Sequence, residues 1–174
     1  MNDQQSYIVT TRNLRIRKKY FREKFLPLYN EVTNSISPVQ KTYEIAGKTI
    51  CMNFYSEKLL EKMSRAFAHI EKYSKDHPDL TICILDSSSA AQRLELPQID
   101  DEQYTYPREI NAKTINSDSF LGIYLHDEGT LNLYDEQNNT AYFWIKDSDC
   151  LPYRLSASPF RLILNWFLSK EGVH

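Results

Sequence analysis

Gly47-Lys48-Thr49 is the first candidate for chemistry in this chain, because a phosphate-binding loop ends in the same three residue types. In that loop an earlier glycine lies five positions before Gly47, but Thr42 stands there in this chain. The loop must also open a helix, whose N-terminal amides hold the phosphates. Here β-type sequence follows Thr49 instead. We therefore interpret Gly47-Lys48 as part of a hairpin turn.

Two further groups contain residue types that are used in acid–base catalysis. His126, Asp127 and Glu128 would form an acid/base pair or hold an ion if they lined a cleft, but their position between two strands favours a solvated turn. Asp86 follows a buried strand, a common position for functional groups in α/β folds. The serines at 87–89 come next, without a glycine-rich element or a histidine, and capping explains them equally well. A small enzyme with a site near Asp86 or His126 is the weakest hypothesis.

Cysteine and histidine do not form a metal site by spacing. A zinc site needs paired ligands at short intervals, and neither the four histidines nor the three cysteines (Cys51, Cys83 and Cys150) provide them. The cysteines are odd in number and far apart, so they predict reduced and mostly buried thiols in a cytoplasmic protein. We expect no cofactor and no metal.

A basic segment near the N-terminus is the strongest electrostatic signal. Residues 12–24 carry a local net charge of +6, which leaves −8 for the rest of a chain whose total is −2. The segment is predicted to be helical over residues 13–26, and Tyr20, Phe21 and Phe25 are interspersed among its basic residues. The candidate anion-binding residues are Arg15, Arg17, Lys18, Lys19 and Arg22.

Two interpretations of this segment stay open. It binds an anionic partner, namely RNA, a phosphopeptide or a membrane surface. Alternatively, it is a solvated helix whose positive face docks on the chain's own acidic domain, which we favour because a charge run alone specifies little.

The remaining elements predict an α+β fold with a mainly antiparallel sheet and two or three packed helices. Residues 39–45 and 49–55 form a hairpin, Ser56 caps an amphipathic helix, and residues 80–85 form a buried strand. Strands at 120–125, 131–134 and 141–145 follow as a C-terminal meander, and a further strand is expected near residues 108–115. Pro27 ends or kinks the first helix, and residues 30–38 are a linker.

Length and composition agree with one soluble globular domain. The chain has 174 residues, of which 41% are hydrophobic and 25% are charged. It has no apolar run long enough for a transmembrane segment and no signal peptide. We divide it into a basic helical segment with its linker, residues 1–36, and an α+β domain, residues 37–174.

The C-terminal helix is the most apolar element. Ser158 is its predicted N-cap and Gly172 its predicted stop. Apolar side chains cover about 240° of its surface, whereas a surface helix needs an apolar stripe of only about 100°. Either the preceding domain wraps this helix, or the helix docks on another chain, a missing domain or a second copy. The candidate docking residues are Phe160, Ile163, Leu164, Trp166 and Phe167.

An aromatic pattern in the C-terminal half resembles the N-terminal region of bacterial HPr kinase-like proteins. It consists of Tyr134-Asp135, then Thr140-Ala141-Tyr142-Phe143-Trp144, Leu151-Pro152-Tyr153, and Ser158-Pro159-Phe160-Arg161 with Trp166. These proteins are serine kinases, some of which work in peptide-modification clusters. Their nucleotide- and metal-binding residues lie in a P-loop domain that follows the tryptophan-bearing helix.

The resemblance implies an accessory or substrate-recognition domain that docks on a P-loop kinase domain, with no catalytic activity in this chain alone. This chain ends where the kinase domain would begin, so no ATP-binding residue is carried over. The alternative is a stand-alone binding module that uses its basic N-terminal helix on an anionic partner.

Overall fold

A seven-stranded mixed sheet forms the centre of the molecule. The computed structural model describes residues 13–15, 18–72, 77–87, 120–125 and 128–173. The strands are β1 Asn13–Arg15, β2 Val39–Ile45, β3 Lys48–Phe54, β4 Leu80–Asp86, β5 Phe120–Leu125, β6 Thr130–Asp135 and β7 Thr140–Ile145. Their order across the sheet is β1-β5-β6-β7-β4-β3-β2. The strand expected near residues 108–115 lies outside the described residues.

The predicted α+β class and the mainly antiparallel sheet are confirmed. Strand β2 pairs with β3 as the expected hairpin, and β5, β6 and β7 form the expected meander. The centre of the sheet differs, because β4 runs parallel to both β3 and β7. This arrangement brings the carboxyl ends of three strands to one edge of the sheet.

Helices cover both faces of the sheet. On one face lie α1 Lys18–Tyr20, a π-helical turn Phe21–Phe25 and α2 Leu26–Ser35. On the other lie α3 Glu57–Met63, a 3-10 turn Ser64–Ile70, α4 Tyr153–Ala157 and α5 Arg161–Lys170. Alternation along each strand supplies both cores. In β7, for example, Phe143 packs towards α5, whereas Tyr142 and Trp144 pack towards the N-terminal helix.

The N-terminal helix crosses the sheet from one edge to the other. It begins after β1, which pairs with β5 at one edge, and leads into β2 at the opposite edge. Its helical run, residues 18–35, spans about 27 Å at about 1.5 Å per residue. Six strand spacings of about 4.8 Å give about 29 Å. The helix therefore spans nearly the full width of the sheet.

This segment corrects several expectations. Residues 13–15 form a strand rather than the start of a helix, because β5 offers them a pairing edge.

Pro27 does not end the helix. The π turn just before it widens the backbone, which relieves the clash between a proline ring and the carbonyl four residues earlier. The predicted linker, residues 30–38, is helical as far as Ser35, and Phe21, Phe25 and Val32 are buried against the sheet. Residues 18–36 thus pack on the α+β domain, although the sequence predicted a boundary between them and that domain.

The C-terminal helix also differs from its prediction. Residues 158–172 do not form one helix, because Ser158 ends α4 and Phe160 has left-handed backbone angles, with φ at 58°. The predicted stop at Gly172 is confirmed. Gly172 has a φ of 72°, and the amides of Gly172 and Val173 bond to the carbonyls of Ser169 and Leu168, a Schellman arrangement.

Four of the five candidate docking residues are buried within the chain itself, and their assignment to an exposed docking surface was wrong. Phe160, Ile163, Trp166 and Phe167 are each at most 3% exposed. They belong to the core that β3, β4 and β7 share with α3 and the 3-10 turn, where the Phe160 ring lies 5.3 Å from that of Phe143. Only Leu164 is partly exposed. The sheet covers the apolar surface that the sequence assigned to a partner.

We expect Phe167→Ala to lower the free energy of unfolding by about 3–5 kcal/mol, since it leaves a cavity in the core. The same change at partly exposed Leu164 should cost about 1 kcal/mol. Urea denaturation of both variants and the unmodified chain measures the difference. Equal losses would contradict the placement of α5 in the core.

Candidate functional site

Aromatic packing fixes the orientation of the N-terminal helix. The rings of Phe21 and Phe25 lie 5.3 Å from the ring of Tyr142, and Phe21 also contacts Phe120 at 4.8 Å. The π turn aligns Phe21 and Phe25, whose rings stack at 6.0 Å. Because both rings point at the sheet, the three residues between them are turned outward.

The same helix carries basic side chains that are accessible to solvent. Lys19 and Arg22 are exposed and Lys18 is half-buried. We call these three residues the basic face. They form no ion pair or side-chain hydrogen bond within the described part of the chain. Of the other two predicted anion-binding residues, Arg15 lies in β1 and Arg17 lies outside the described residues.

Most other basic side chains are already paired. In the described residues, seven of them form ion pairs with carboxylates: Lys41, Lys48, Lys58, Lys62, Arg65, Lys72 and Arg154. Lys170 donates instead to the Glu136 carbonyl and the Asn139 side chain. The basic face differs because none of its three side chains forms an ion pair within the described residues, although Glu23 lies exposed beside Arg22. The favoured interpretation, that the positive side of the helix docks on the chain's own acidic domain, stays a prediction, because the acidic residues 100–102 lie outside the described residues.

The phosphate-loop candidate is a hairpin turn, as predicted. Ala46 and Gly47 both have positive φ, at 52° and 74°, which is the geometry of a type I′ hairpin. The Lys48 ammonium lies 2.6 Å from the Glu171 carboxylate, and this contact raises the pKa of Lys48. Lys48 therefore ties the hairpin to the end of α5 rather than reaching for a phosphate.

Asp86 lies where the parallel strands end, beside the N-terminus of α3. Its carboxylate, in a residue only 2% exposed, accepts the Ser56 hydroxyl at 2.5 Å. Ser56 in turn accepts the Leu59 amide at 3.4 Å as the N-cap of α3, which confirms the predicted cap. The hydrogen bond between Ser56 and Asp86 holds α3 against β4, so helix capping explains the position of Asp86. Ser87 follows at the strand end, and the serines at 88 and 89 lie outside the described residues.

Charged residues along the same edge pair with one another. The Lys58 ammonium lies 2.8 Å from the Asp149 carboxylate, and Lys62 donates to the Ser148 carbonyl at 2.6 Å. These contacts hold the segment after β7 against α3. Of the other catalytic candidate, His126 and Asp127 lie outside the described residues, and Glu128 pairs with Arg154.

A cluster of phenols and thiols under α2 was missed by the sequence analysis. The Tyr29 hydroxyl lies 3.2 Å from the Cys83 sulfur and 3.4 Å from the Tyr55 hydroxyl. Cys51 on β3 accepts a hydrogen bond from Gln40 at 3.0 Å. The two-residue alternation of β3 and β4 puts Cys51, Tyr55 and Cys83 on one face, and that signal was available in the sequence.

These thiols suit neither a disulfide nor a metal. The register places Cys83 opposite Asn53, so Cys51 lies two residues earlier on its strand, opposite Thr81. Side chains offset in this way are about 7–8 Å apart, beyond the usual reach of a disulfide. All three cysteines are free, and the described residues contain no group of three or more possible metal ligands.

Comparisons with known proteins add no family. A scan against protein-family models found no match, and searches of curated proteins and of solved structures found none either. The resemblance to HPr kinase-like proteins therefore stays an expectation from the sequence. In the described part of the chain, no helix combines the length and the apolar character that crossing a membrane requires.

The buried thiol predicts a loss of stability in alkali. Burial raises the pKa of Cys83 from its ordinary value of 9.0 to about 11. The folded protein therefore keeps this proton over a range in which the unfolded chain loses it. The stabilisation is complete below pH 9 and declines between pH 9 and about pH 11, by up to about 1.4 kcal/mol per pH unit.

Cys83→Ala removes this titration, so the free energy of unfolding should fall less steeply from pH 9 to pH 10. Urea denaturation at pH 8, 9 and 10 measures the slope. Cys150→Ala is the control and should change the slope less, because the Cys150 thiol is exposed and its pKa is raised mainly by its contact with Asp147 rather than by burial. Identical slopes for Cys83→Ala and the unmodified chain would refute the assignment.

Proposed function

We propose that this protein is a recognition module that binds an acidic segment of another polypeptide through its basic face. The observation that supports this is that Lys18, Lys19 and Arg22 form no ion pair, whereas most other basic side chains in the described residues pair with carboxylates. An exposed group of like charges destabilises the isolated protein slightly, and an acidic partner removes that cost.

The packing of the helix favours a polypeptide over RNA or a membrane. Single-stranded RNA is bound by exposed aromatic rings on which bases stack, but Phe21 and Phe25 are buried. A membrane-surface helix turns its apolar side outward, whereas this helix turns it towards the sheet.

We propose further that such a module works in an HPr kinase-like system, where it would position a substrate for a kinase domain. In support of this proposal, the aromatic residues of the pattern are buried except for Tyr153, which is 86% exposed. Phe143, Trp144, Phe160 and Trp166 are all buried. Two domains of the same fold share core residues of this kind even when neither domain is catalytic.

Binding of fluorescein-labelled hexaglutamate, measured by anisotropy, tests the basic face. We expect the double substitution Lys19→Gln/Arg22→Gln to weaken binding by about fivefold at low salt, since two exposed charge contacts are lost. Raising the salt to about 300 mM should weaken binding by the unmodified chain too. Deletion of the helix is unsuitable, because Phe21 and Phe25 belong to the core.

The matched control is Lys146→Gln/Lys170→Gln. It removes the same charge from two exposed residues outside both proposed binding sites, neither of which forms an ion pair within the described chain. This control should bind hexaglutamate as the unmodified chain does. Equal loss in both double variants would contradict the proposal, as would tighter binding to polyuridylate or to phosphatidylserine vesicles.

The accessory role predicts that the chain does not bind nucleotide. Isothermal titration of the purified protein with ATP and magnesium should give no binding heat. Because the Gly47-Lys48 turn is the nearest match to a phosphate loop, Lys48→Ala is the matched variant. Saturable binding that Lys48→Ala abolishes would overturn the non-catalytic assignment.

A further inference from the structure

A groove beside α5 has the shape and charge of a second binding site. It lies between the 3-10 turn and the outer side of α5, and encloses about 330 Å³. Ala66, Phe67, Leu164 and Leu168 provide apolar surface, and Pro159 and Arg161 border it. We call it the α5 groove. It is on the opposite face of the sheet from the basic face.

The left-handed turn at Phe160 separates the two walls of this groove. It breaks the chain between α4 and α5, so that Ala157 and Pro159 stand on one side while Leu164 and Leu168 follow along the other. Leu164 and Leu168 are one helical turn apart and both are partly exposed. Pockets that hold ligands enclose about 300–1,000 Å³. The α5 groove therefore has room for one or two side chains, but not for a helix.

Arg161 gives the groove a specific charge. It lies three residues before Leu164, so its side chain shares that side of α5. It is exposed and, among the described residues, has no acidic partner. An unpaired guanidinium next to an apolar floor is complementary to an apolar side chain followed by a carboxylate.

We propose that the α5 groove binds an extended segment of another protein in which a large apolar residue precedes Asp or Glu. The apolar side chain lies on Phe67, Leu164 and Leu168, and the carboxylate pairs with Arg161. The groove is open to solvent, so the segment passes along it and the carboxylate belongs to a side chain within the segment. This site is independent of the basic face.

The probe is the peptide acetyl-Gly-Phe-Asp-Gly-amide, titrated into the ¹⁵N-labelled whole chain and followed by NMR. We expect shifts at the amides of Ala66, Arg161, Leu164 and Leu168. Replacing Phe by Ala in the peptide should raise the Kd at least tenfold, because the buried apolar area is lost. Replacing Asp by Asn should raise it about threefold.

A charge exchange tests the pairing directly. Arg161→Glu should weaken binding of the Phe-Asp peptide and bind the corresponding Phe-Lys peptide in its place. Lys146→Glu, at an exposed position outside the groove, is the matched control and should leave the peptide preference unchanged. Leu164 is left intact because it also packs on the core.

Three results would overturn the proposal. One is a peptide affinity that Arg161→Glu does not alter. A second is a set of shifts confined to Lys19 and Arg22, which would assign the peptide to the basic face. The third is concentration-dependent self-association that Arg161→Glu abolishes in ultracentrifugation, which would show that a second copy fills the groove.

Discussion

Aromatic contacts beneath the N-terminal helix fix which of its side chains meet solvent. Phe21 and Phe25 lie against Tyr142, and the π turn holds the two rings in line. Had the helix been regular, Pro27 would have broken it, and the residues between the rings would have had no fixed outward direction. The arrangement of basic residues in space therefore follows from an apolar interaction. The charge pattern alone does not determine it.

Much of the sheet was predictable because its signals are local. Turn residues such as Gly47 and Gly129 separate β-prone runs, and the bounds of the hairpin and the meander follow from them. The N-cap at Ser56 and the stop at Gly172 are local signals as well, and both are confirmed. Each of these features depends on a few adjacent residues and needs no knowledge of distant partners.

The features that the sequence did not predict depend on contacts between residues that are far apart in the chain. The pairing of β4 with β7 joins residues such as Cys83 and Tyr142, and no local pattern specifies it. The apolar surface of α5 exists as predicted, but the periodicity of one helix does not show that the sheet covers it. The same argument explains the basic face. Whether a lysine has an acidic neighbour in space depends on the tertiary fold, so sequence could name Lys19 and Arg22 without showing that they are unpaired.

The course of the N-terminal helix has a consequence for how the molecule comes apart. One continuous element begins at a strand on one border of the sheet and ends at a strand on the other. This helix links the two edge strands, since neither strand can detach while the helix stays packed on Tyr142 and its neighbours. Local unfolding that starts at an edge strand is thereby suppressed. The sheet and the helix should therefore unfold together as one cooperative unit.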